Sequence, residues 1–517
     1  MNQFHPLTVL TFLPLIGGLA VIALGQRTRA ARMLALTLSL LVLAGAALLW
    51  ANFDRSGATF DYSDSCSWAD DIWIQYHVGV DGLGLLMVML TAIVVPMALL
   101  ASWRLEERAS LYFGLVLFLE AGLLGTFTAL NFFHWFLFWE LSLVPAFFLI
   151  KLWGGPLRSA AATQFFVYTM VGSIAMLLAF LALALTSHTF DFSRLSDLGR
   201  NGILNANLSE QLGWRDLTAK RLAIVVFAGA FLGFAVKVPM IPFHTWLPSA
   251  YAEAPTGTTM LLTGAMSKMG LYGFLRILLP IFPQEMRWVL TPLLWLAVGT
   301  IVFSAGAAFA QRDLKRMLAY SSINHLGYCL LGIFAVMRSG SFSPMPLNDK
   351  SAALNGVLLQ MFNHGLTAAT LFWFVGLLEA RSGGLRGLDD FGGLRKVAPV
   401  FCGLMGIALF SSLGLPGLNG FIGEFLIFRG SFPLAGWAAS LALFGLLITA
   451  VFILTLLQKV FNGPLREHWM KFPDLTVRER LAFVPALGLM LFLGVYPQAI
   501  LGVVNGTVGQ WVQFLRF

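Results

Sequence analysis

Residues 231–276 decide the fold of this chain, and they read FLGFAVKVPMIPFHTWLPSAYAEAPTGTTMLLTGAMSKMGLYGFLR. Both apolar halves of this stretch are hydrophobic enough to lie in a membrane. The first half nevertheless carries Lys237 beside Pro239 and Pro242, and the second carries Lys268. An ammonium group near the bilayer centre costs about 2.5–3.5 kcal/mol on insertion scales. Both lysines lie too far inside their segments to reach the interface by extending their side chains, so we interpret them as functional residues.

The composition of the whole chain is that of a membrane protein. Of its 517 residues, 58% are hydrophobic and 11% are charged, and the mean hydropathy is +0.80. The apolar runs are about 18–25 residues long, which suits membrane helices and exceeds the length of barrel strands. The net charge of +8 does not indicate nucleic-acid binding, because the basic residues are scattered through short loops. The predicted fold class is an all-α polytopic membrane protein.

Hydropathy along the chain predicts about fourteen transmembrane spans. Their approximate bounds are residues 7–25, 33–51, 82–102, 110–129, 132–151, 163–187, 221–248, 257–280, 289–310, 315–337, 351–379, 398–428, 433–461 and 480–504. No hydrophilic segment is long enough for a soluble domain, and the longest, 188–220, has room for a short amphipathic helix. We divide the chain into four parts, namely 1–109 with spans 1–3, 110–280 with spans 4–8, 281–462 with spans 9–13, and 463–517 with span 14.

Basic residues are unevenly distributed between the two sides of the predicted membrane. The loops after odd-numbered spans contain 19 of the 33 Lys and Arg residues, and the opposite side, with both termini, contains 11. The side that is richer in Lys and Arg is normally cytoplasmic. The acidic loop 52–81 lies on the other side. Both termini are therefore expected on the non-cytoplasmic side.

The sequence contains no motif for a nucleotide or a redox cofactor. It has no P-loop, no dinucleotide fingerprint and no cysteine cluster, and Cys66, Cys329 and Cys402 do not have the spacing of metal ligands. We therefore expect no cofactor and no metal on this chain. The first apolar run lacks the basic segment of a signal peptide, so we expect it to be retained as a helix.

Two of the predicted spans are interrupted. The seventh span breaks at VPMIP, residues 238–242, and the twelfth at LGLPGLNG, residues 413–420. Proline removes a backbone donor, and the groups that it frees must meet protein or water inside a membrane. Broken helices at corresponding positions of two halves are typical of inverted-repeat transporters. We predict two inverted five-helix repeats, spans 4–8 and 9–13, with the break in the fourth helix of each.

Seven ionisable residues inside these spans form a series that is suited to moving protons. They are Glu120 in span 4, Glu140 in span 5, Lys237 in span 7, Lys268 in span 8, His325 in span 10, His364 in span 11 and Glu424 in span 12. Lys237 precedes a break, where the end of a half-helix favours a cation, and Glu424 follows one, where the start of a half-helix favours a carboxylate. Histidine titrates near neutral pH. The series is what a proton relay between neighbouring helices requires.

Structural roles stay open for some of these residues. A histidine within a membrane often only joins two helices through a hydrogen bond, which applies to His325 and His364. Glu120 can equally be a structural partner, and His244 can simply fill the first break. We favour function for Glu140, Lys237, Lys268 and Glu424, because buried charges in membranes are costly and usually functional.

The motifs around these residues resemble one family over nearly the whole chain. The segment KVPMIPFHTWLPSAYAEAPT, then SKMGLYGFLR, LAYSSINHLGY and GLPGLNGFIGEF follow one another in this order. They resemble the antiporter-like membrane subunits of respiratory complex I and the related Mrp sodium/proton antiporters. The resemblance implies fourteen helices with the inverted repeats and broken helices described above.

Within the family, the chain resembles the M-type subunit of a bacterial NADH:quinone oxidoreductase. The position after the second break is Glu424, where the L-type, N-type and Mrp relatives usually have lysine, and the sequence after span 14 is too short for the lateral helix of the L-type. The resemblance implies that Glu140 and Lys237 form a pair at the input half-channel. It also implies that Lys268, His325 and His364 form a central relay and that Glu424 serves the exit half-channel.

The resemblance further implies a location in the bacterial inner membrane and a set of partner chains. Partners would be other membrane subunits of complex I, with L-type and N-type neighbours, while NADH, FMN, iron–sulfur clusters and quinone would lie on partner subunits. Three other functions stay open. The chain could be a Mrp-type sodium/proton antiporter subunit, a membrane subunit of a hydrogenase or other ferredoxin-linked complex, or a structural spacer that no longer pumps.

Overall fold

The computed structural model describes residues 5–56, 60–212, 218–338 and 346–515. Ten helices in this part of the chain are long and apolar enough to cross a membrane, or eleven if a bent pair near the C-terminus counts as one. Its one sheet is a two-stranded hairpin outside these helices. The chain is therefore a multi-pass helical membrane protein, and the predicted fold class is confirmed.

The first half of the described chain contains the helices up to and including the short one that follows the first break. They are α1 Pro6–Ala23, α2 Thr28–Ala51, α3 Gly82–Ala101, α4 Ala109–Thr128, α5 Phe132–Trp153, α6 Arg158–Ser187, α7 Phe192–Arg200, α8 Ile203–Leu212, α9 Ala219–Lys237 and α10 Trp246–Glu253. A continuous helical run then covers 256–281, with α11 Thr256–Leu261, α12 Ser267–Gly273 and α13 Leu279–Ile281 joined by wider π-helical turns at 262–266 and 274–278.

The helices of the second half lead to the C-terminus. They are α14 Pro283–Trp288, α15 Leu290–Ala310, α16 Leu314–Ala335, α17 Pro346–Arg381, α18 Pro399–Leu413, α19 Asn419–Leu457, α20 Val477–Val495 and α21 Gln498–Phe514. Within α19 the backbone leaves helical geometry at Ala435, two residues after Pro433, so this element contains two helices. Each of the fourteen predicted spans contains helical residues. The number of membrane crossings stays a prediction, because only ten or eleven of the described helices are both long and apolar enough to cross a membrane.

The last predicted span, 480–504, is wrong as a single helix. Helix α20 ends at Val495, and α21 begins at Gln498 after a bend of 65°. The cause is Pro497, because proline disfavours helical geometry in the residue before it. Tyr496 accordingly has φ −127° and ψ 68°.

The acidic loop 52–81 contains a β-hairpin that the sequence did not predict. Strand β1 is Asp61–Ala69 and pairs antiparallel with β2 Ile74–Val80. Most of β1 is exposed and polar on both faces, so it lacks the alternation that would mark a strand. The segment 188–220, in which the sequence left room for a short amphipathic helix, contains two short helices, α7 and α8, of which α7 has one buried apolar side, while residues 213–217 lie outside the described residues.

A buried column of helices runs through the middle of the protein. The most apolar windows of α3, α4 and α17 are 83%, 89% and 94% buried, whereas those of α2 and α19 are 28% and 33% buried and face outward. Helix α16 and the run 256–281 are also almost entirely buried. Helices in the interior of a bundle are the ones that can carry polar groups away from lipid.

Both predicted breaks are present. Helix α9 ends at Lys237 and α10 begins at Trp246, after a non-helical segment with Pro239 and Pro242. Helix α18 ends at Leu413 and α19 begins at Asn419. Gly414 and Gly417 in the second break have φ +80° and +94°, a geometry that side chains with a Cβ rarely adopt.

Candidate functional site: a buried chain of ionisable side chains

Six of the seven residues that the sequence singled out are buried. Their relative exposures are 0% for Glu120, 2% for Lys237, 0% for Lys268, 3% for His325, 6% for His364 and 5% for Glu424. The seventh, Glu140, is partly exposed on the surface of the isolated chain. Ionisable groups at this depth are expected to contact one another or other polar groups.

Lys268 and His364 are in direct contact. Lys268 Nζ lies 2.8 Å from His364 Nδ1, 2.5 Å from the carbonyl oxygen of Thr263 and 3.3 Å from Ser267 Oγ. Thr263 belongs to the π-helical turn just before α12, and such turns are frequent at functional sites. A charged lysine has only donors, so His364 Nδ1 accepts from it and Lys268 can pass a proton directly to α17.

His325 and Glu424 form a second direct contact. His325 Nδ1 lies 2.8 Å from Glu424 Oε1, and His325 Nε2 lies 3.2 Å from Ser412 Oγ. The side-chain amide of Gln360 donates to the same Glu424 oxygen at 3.2 Å. Both imidazole nitrogens and one carboxylate oxygen are therefore engaged, and α16, α17, α18 and α19 meet at this point.

The two contacts lie next to each other. The ring centroids of His325 and His364 are 5.3 Å apart, at an interplanar angle of 42°. The described part of the chain contains no hydrogen bond between the two rings. Lys268, His364, His325 and Glu424 thus form a chain of two hydrogen-bonded pairs, separated by one short interval between the two imidazoles. We call these four residues the central chain.

Lys237 is placed differently from the central chain. Its ammonium lies 4.8 Å from the centroid of the Trp139 ring and has no hydrogen-bond partner among the described residues. The expected pairing with Glu140 is not a direct ion pair, because no nitrogen–oxygen distance of 4.0 Å or less joins the two in the described part. The Trp139 ring supplies the cation with a π-face instead. Without direct contact, Glu140 can act on Lys237 only as a charge at a distance.

Glu120 is also separate from the central chain. It is fully buried in α4, and neither carboxylate oxygen has a hydrogen-bond partner among the described residues. A buried polar group without a partner is costly, which marks Glu120 as a site that needs an explanation. The geometry of its carboxylate favours neither the functional nor the structural alternative.

Sequence reasoning missed several polar residues of the site. Gln360 lies four residues before His364, on the same face of α17. Ser412 directly precedes the second break. Helical spacing from His364 could have identified Gln360, but nothing in the sequence distinguishes Ser412 from Ser411 beside it. Ser411 bonds instead to Asn419 Oδ1 at 2.5 Å and Thr367 Oγ1 at 3.1 Å.

A charged cluster at one end of the bundle was also missed. The guanidinium of Arg386 bonds Asp313 at 2.6 Å and Glu253 at 3.1 Å and lies 3.6 Å from Glu379, which in turn binds Lys315 at 2.6 Å. Burial opposes the charge of Arg386, but the three carboxylates outweigh it and raise its pKa above the usual value. The cluster ties α10, which follows the first break, to α16 and α17, which carry the two histidines.

A smaller pair at the other end of the bundle anchors the hairpin. His77 Nδ1 in β2 lies 2.7 Å from Asp191 Oδ2, and Asp191 also caps α7 by accepting from the Arg194 amide at 3.0 Å. Burial alone would raise the pKa of Asp191, but the bonds from His77 and from the backbone outweigh it and hold the pKa below the usual 3.8. Asp191 also forms a backbone bridge with Asn131, at the start of α5.

The residues of the described part include no group of three or more His, Cys, Asp or Glu side chains that could hold a metal ion. The central chain contains two imidazoles, an amine and a carboxylate, all of which can bind and release protons.

Comparison with known proteins places this arrangement in a family. The sequence profile of the family described as NADH:quinone oxidoreductase/Mrp antiporter, transmembrane, matches residues 129–449. Subunit M of the NADH-quinone oxidoreductase of Rhodobacter capsulatus is 36% identical over 513 residues, which cover 98% of this chain and 96% of that protein. The chain belongs to this family.

Solved structures of the family agree with the fold. Respiratory complex I from Thermus thermophilus with bound NADH contains a chain with a TM-score of 0.84 and 28% identity, covering 99% of this chain and 100% of that one. The Mrp complex from Dietzia sp. DQ12-45-1b contains a chain with a TM-score of 0.81 over 98% of this chain and 99% of that one. Its identity is 19%, so this likeness concerns the fold alone.

Proposed function

We propose that this chain is a proton-translocating membrane-arm subunit of an NADH:quinone oxidoreductase, of the M type, in a bacterial inner membrane. The observation that carries the proposal is the central chain, in which Lys268 contacts His364 and Glu424 contacts His325 at 2.8 Å each. Four titratable groups in two hydrogen-bonded pairs, buried among apolar helices, offer protons a path that lipid does not. The 36% sequence identity with subunit M of the Rhodobacter capsulatus enzyme, over 98% of this chain, supports the assignment to the M type.

The residues have different roles in this proposal. Glu140 and Lys237 form the input site, where the carboxylate acts on the ammonium through space. Lys268 is the centre of the relay, His364 and His325 carry protons onward, and Glu424 serves the exit. Glu120 is proposed as a further buried carboxylate of the pathway, near the centre of α4.

The wider organisation follows from the same proposal. Spans 4–8 and 9–13 form two inverted repeats, bounded at residues 110–280 and 281–462, and both termini lie outside the cytoplasm. The partners are other membrane-arm subunits, including L-type and N-type neighbours. NADH, FMN, iron–sulfur clusters and quinone are held by partner subunits, and this chain contributes no redox centre.

A Mrp-type sodium/proton antiporter subunit is the second candidate. It is favoured by the family profile, whose description includes NADH:quinone oxidoreductases and Mrp antiporters together. Glu424 argues against it, because Mrp relatives usually carry lysine at this position. A subunit of a hydrogenase-like complex has the same fold requirements and is distinguished by its partner chains.

The test uses the assembled complex in proteoliposomes without sodium. NADH:quinone turnover and proton uptake are measured together for the wild type, Glu140→Gln and Lys237→Ala. We expect both activities to fall about 10-fold, less than the roughly 10²–10⁴-fold contribution of a group that transfers the proton itself, because Glu140 and Lys237 act on each other through space. Lys459→Ala is the control, since Lys459 is half exposed and binds Asp389 at 2.7 Å outside the pathway.

The outcomes separate the candidates. Loss of both activities in an assembled complex, with the Lys459→Ala control unchanged, supports the pump. Unchanged turnover and proton uptake in both variants would show that Glu140 and Lys237 are structural. Sodium-dependent proton exchange without any copurifying NADH oxidation would establish the antiporter instead.

A further inference from the structure

The break between α18 and α19 is bridged by a single imidazole ring. His325 comes from α16, contacts Ser412 at the end of α18 through Nε2 at 3.2 Å, and contacts Glu424 in α19 through Nδ1 at 2.8 Å. Its side chain is 3% exposed, so it is shielded from bulk solvent. The ring therefore connects the two halves of the broken helix.

The backbone of the break is shaped around this contact. Gly414 has φ +80°, and a Cβ at this position would lie 2.9 Å from Glu424 Oε2. A side chain there would thus both strain the backbone and press on the carboxylate. The absence of a Cβ lets the end of α18 approach Glu424 closely enough for one ring to reach both halves.

The partners of the two nitrogens determine where the proton of His325 lies. A neutral imidazole carries one N–H and one acceptor nitrogen, whereas an imidazolium donates through both. With Glu424 ionised, Nδ1–H donates to the carboxylate, and Nε2 either accepts from the Ser412 hydroxyl or, when protonated, donates to Ser412 Oγ. Because a hydroxyl both donates and accepts, Ser412 satisfies Nε2 in both charge states.

Gln360 holds the Glu424 carboxylate on the Nδ1 side of the His325 ring. Its Nε2 donates to Glu424 Oε1 at 3.2 Å and lies 3.5 Å from His325 Nδ1, so it keeps this carboxylate oxygen turned toward the ring. The amide packs closely against α19, because a Cβ on Gly423 would lie 2.6 Å from Gln360 Oε1. Only a glycine in α19 leaves room for Gln360 at this place.

We propose that Ser412 and Gln360 are positioning residues of the exit site, which hold His325 across the break in the orientation and tautomer that proton transfer requires. This inference rests on the proposed function. Ser412 acts by satisfying Nε2 in each charge state of the ring, and Gln360 acts by keeping the Glu424 carboxylate facing Nδ1. The break itself is thereby part of the exit site, since the ring ties its two halves together.

The test compares two neighbouring serines that both lie at the break. Ser412→Ala removes the partner of His325 Nε2, whereas Ser411→Ala removes bonds to Asn419 and Thr367 and leaves the imidazole untouched. We expect Ser412→Ala to lower proton uptake and NADH:quinone turnover about 3- to 10-fold, the range for loss of one neutral hydrogen bond. We expect its pH profile to move along the pH axis, and Ser411→Ala to stay within about 2-fold with an unmoved profile.

Two variants of equal shape separate the effect of the Ser412 hydroxyl group from the effect of side-chain volume. Ser412→Thr keeps the hydroxyl and is expected to recover at least half of the wild-type rate, whereas Ser412→Val has the same shape without it and is expected to behave as Ser412→Ala. Gln360→Met, which removes the amide but keeps the length, is expected to show the same direction of effect. Thr and Val variants of equal activity would overturn the inference, because packing alone would then explain Ser412.

Glu424→Gln in the same set separates this inference from the proposed function. If Ser412→Ala matches the wild type at every pH while Glu424→Gln is impaired, the positioning role is wrong and the pump stands. If Ser412→Ala and Ser411→Ala lose equal activity with unmoved pH profiles, both serines are only structural and the inference also fails. If Glu424→Gln is itself unaffected, the proposed function fails.

Discussion

The two broken helices resemble each other in sequence and differ in their contacts. At the second break, Glu424 contacts His325 at 2.8 Å and His325 contacts Ser412 at 3.2 Å, so the acid belongs to a hydrogen-bonded unit. At the first break, Lys237 lies over the ring of Trp139 and has no ion pair with Glu140 within 4.0 Å among the described residues. Proline and a nearby charge are common to both sites. At the second break the ionisable side chains are joined by hydrogen bonds, whereas at the first break Glu140 and Lys237 interact without direct contact.

This difference has a consequence for proton transfer. A hydrogen-bonded pair exchanges a proton without a large rearrangement, whereas groups that act through space change each other's charge state and need a third group to carry the proton. Within the proposed function, we therefore assign proton transfer to the second site and the setting of a charge state to the first. Four predictions test this contrast, from the largest expected effect to the smallest.

Glu424→Gln should have the largest effect on activity. The amide cannot accept a proton, and His325 loses its charged partner, so the exit is blocked at both members of the pair. We expect proton uptake and turnover to fall about 100-fold, the lower end of typical proton-transfer contributions of about 10²–10⁴-fold. The measurement is made on assembled complex, and activity within 2-fold of the wild type would contradict the role of the second site.

Arg386→Ala should destabilise the protein, because Arg386 connects α10, after the first break, to α16 and α17. It leaves the carboxylate of Glu253, which is 4% exposed, without its guanidinium partner and disconnects α10 from Asp313 and Glu379. Removing one partner of a buried ion pair costs about 3–5 kcal/mol, and because Arg386 is partly exposed we expect about 2–3 kcal/mol. Thermal unfolding of the purified complex measures the loss, and Arg312→Ala, a highly exposed residue of the same region, is the control.

Double-mutant cycles should separate the two breaks directly. For His325→Ala with Glu424→Gln we expect a coupling energy of about 1.5–3 kcal/mol in proton uptake, since the two groups share a charge-assisted hydrogen bond. For Lys237→Ala with Glu140→Gln we expect less than about 1 kcal/mol, the range of interactions without direct contact. Equal coupling energies at the two sites would remove the contrast between them.

Asp191→Asn should have the smallest effect. Asp191 caps α7 and bridges to Asn131 at the start of α5, the helix that carries Glu140. The pKa of Asp191 is lowered in the folded state, so its carboxylate stabilises the fold above the usual 3.8 and ceases to do so as the pH falls through the folded value. We expect a loss of about 1 kcal/mol at pH 7, which disappears as the pH falls through the lowered pKa of Asp191. The melting temperatures of the wild type and the variant, compared across this pH range, give the result, and a difference that grows on acidification would contradict the assignment.

Much of the fold and part of the site could be predicted from the sequence. Long apolar runs predicted the helices, and proline next to charged residues predicted both breaks, because these signals are local. The bend at Pro497 was missed, since apolar residues continue across it and the hydropathy alone predicts one span. The hairpin 61–80 was missed because β1 is polar and mostly exposed and lacks the alternation that marks a strand, although β2 buries Ile74, Val78 and Val80.

The contacts of the site depend on tertiary structure. The burial cost of a charge favoured a functional role for Lys268 and Glu424, whereas His325 and His364 stayed open between a relay and a structural hydrogen bond. The pairing of these four residues depends on how α12, α16, α17 and α19 pack. The separation of Glu140 from Lys237 was not predictable, because Trp139 takes the place of the expected partner. Nor was the Arg386 cluster, whose members lie in four segments that the sequence leaves unconnected.

The central chain is tested most directly at its first member. Lys268→Ala in the assembled complex, reconstituted in proteoliposomes, removes the donor to His364 Nδ1 and leaves His325, Glu424 and both breaks in place. Proton uptake and NADH:quinone turnover are measured in the same vesicles. Our account predicts that both fall at least 10-fold while all subunits stay assembled. Wild-type rates of both, with an unchanged number of protons taken up per NADH oxidised, would contradict it.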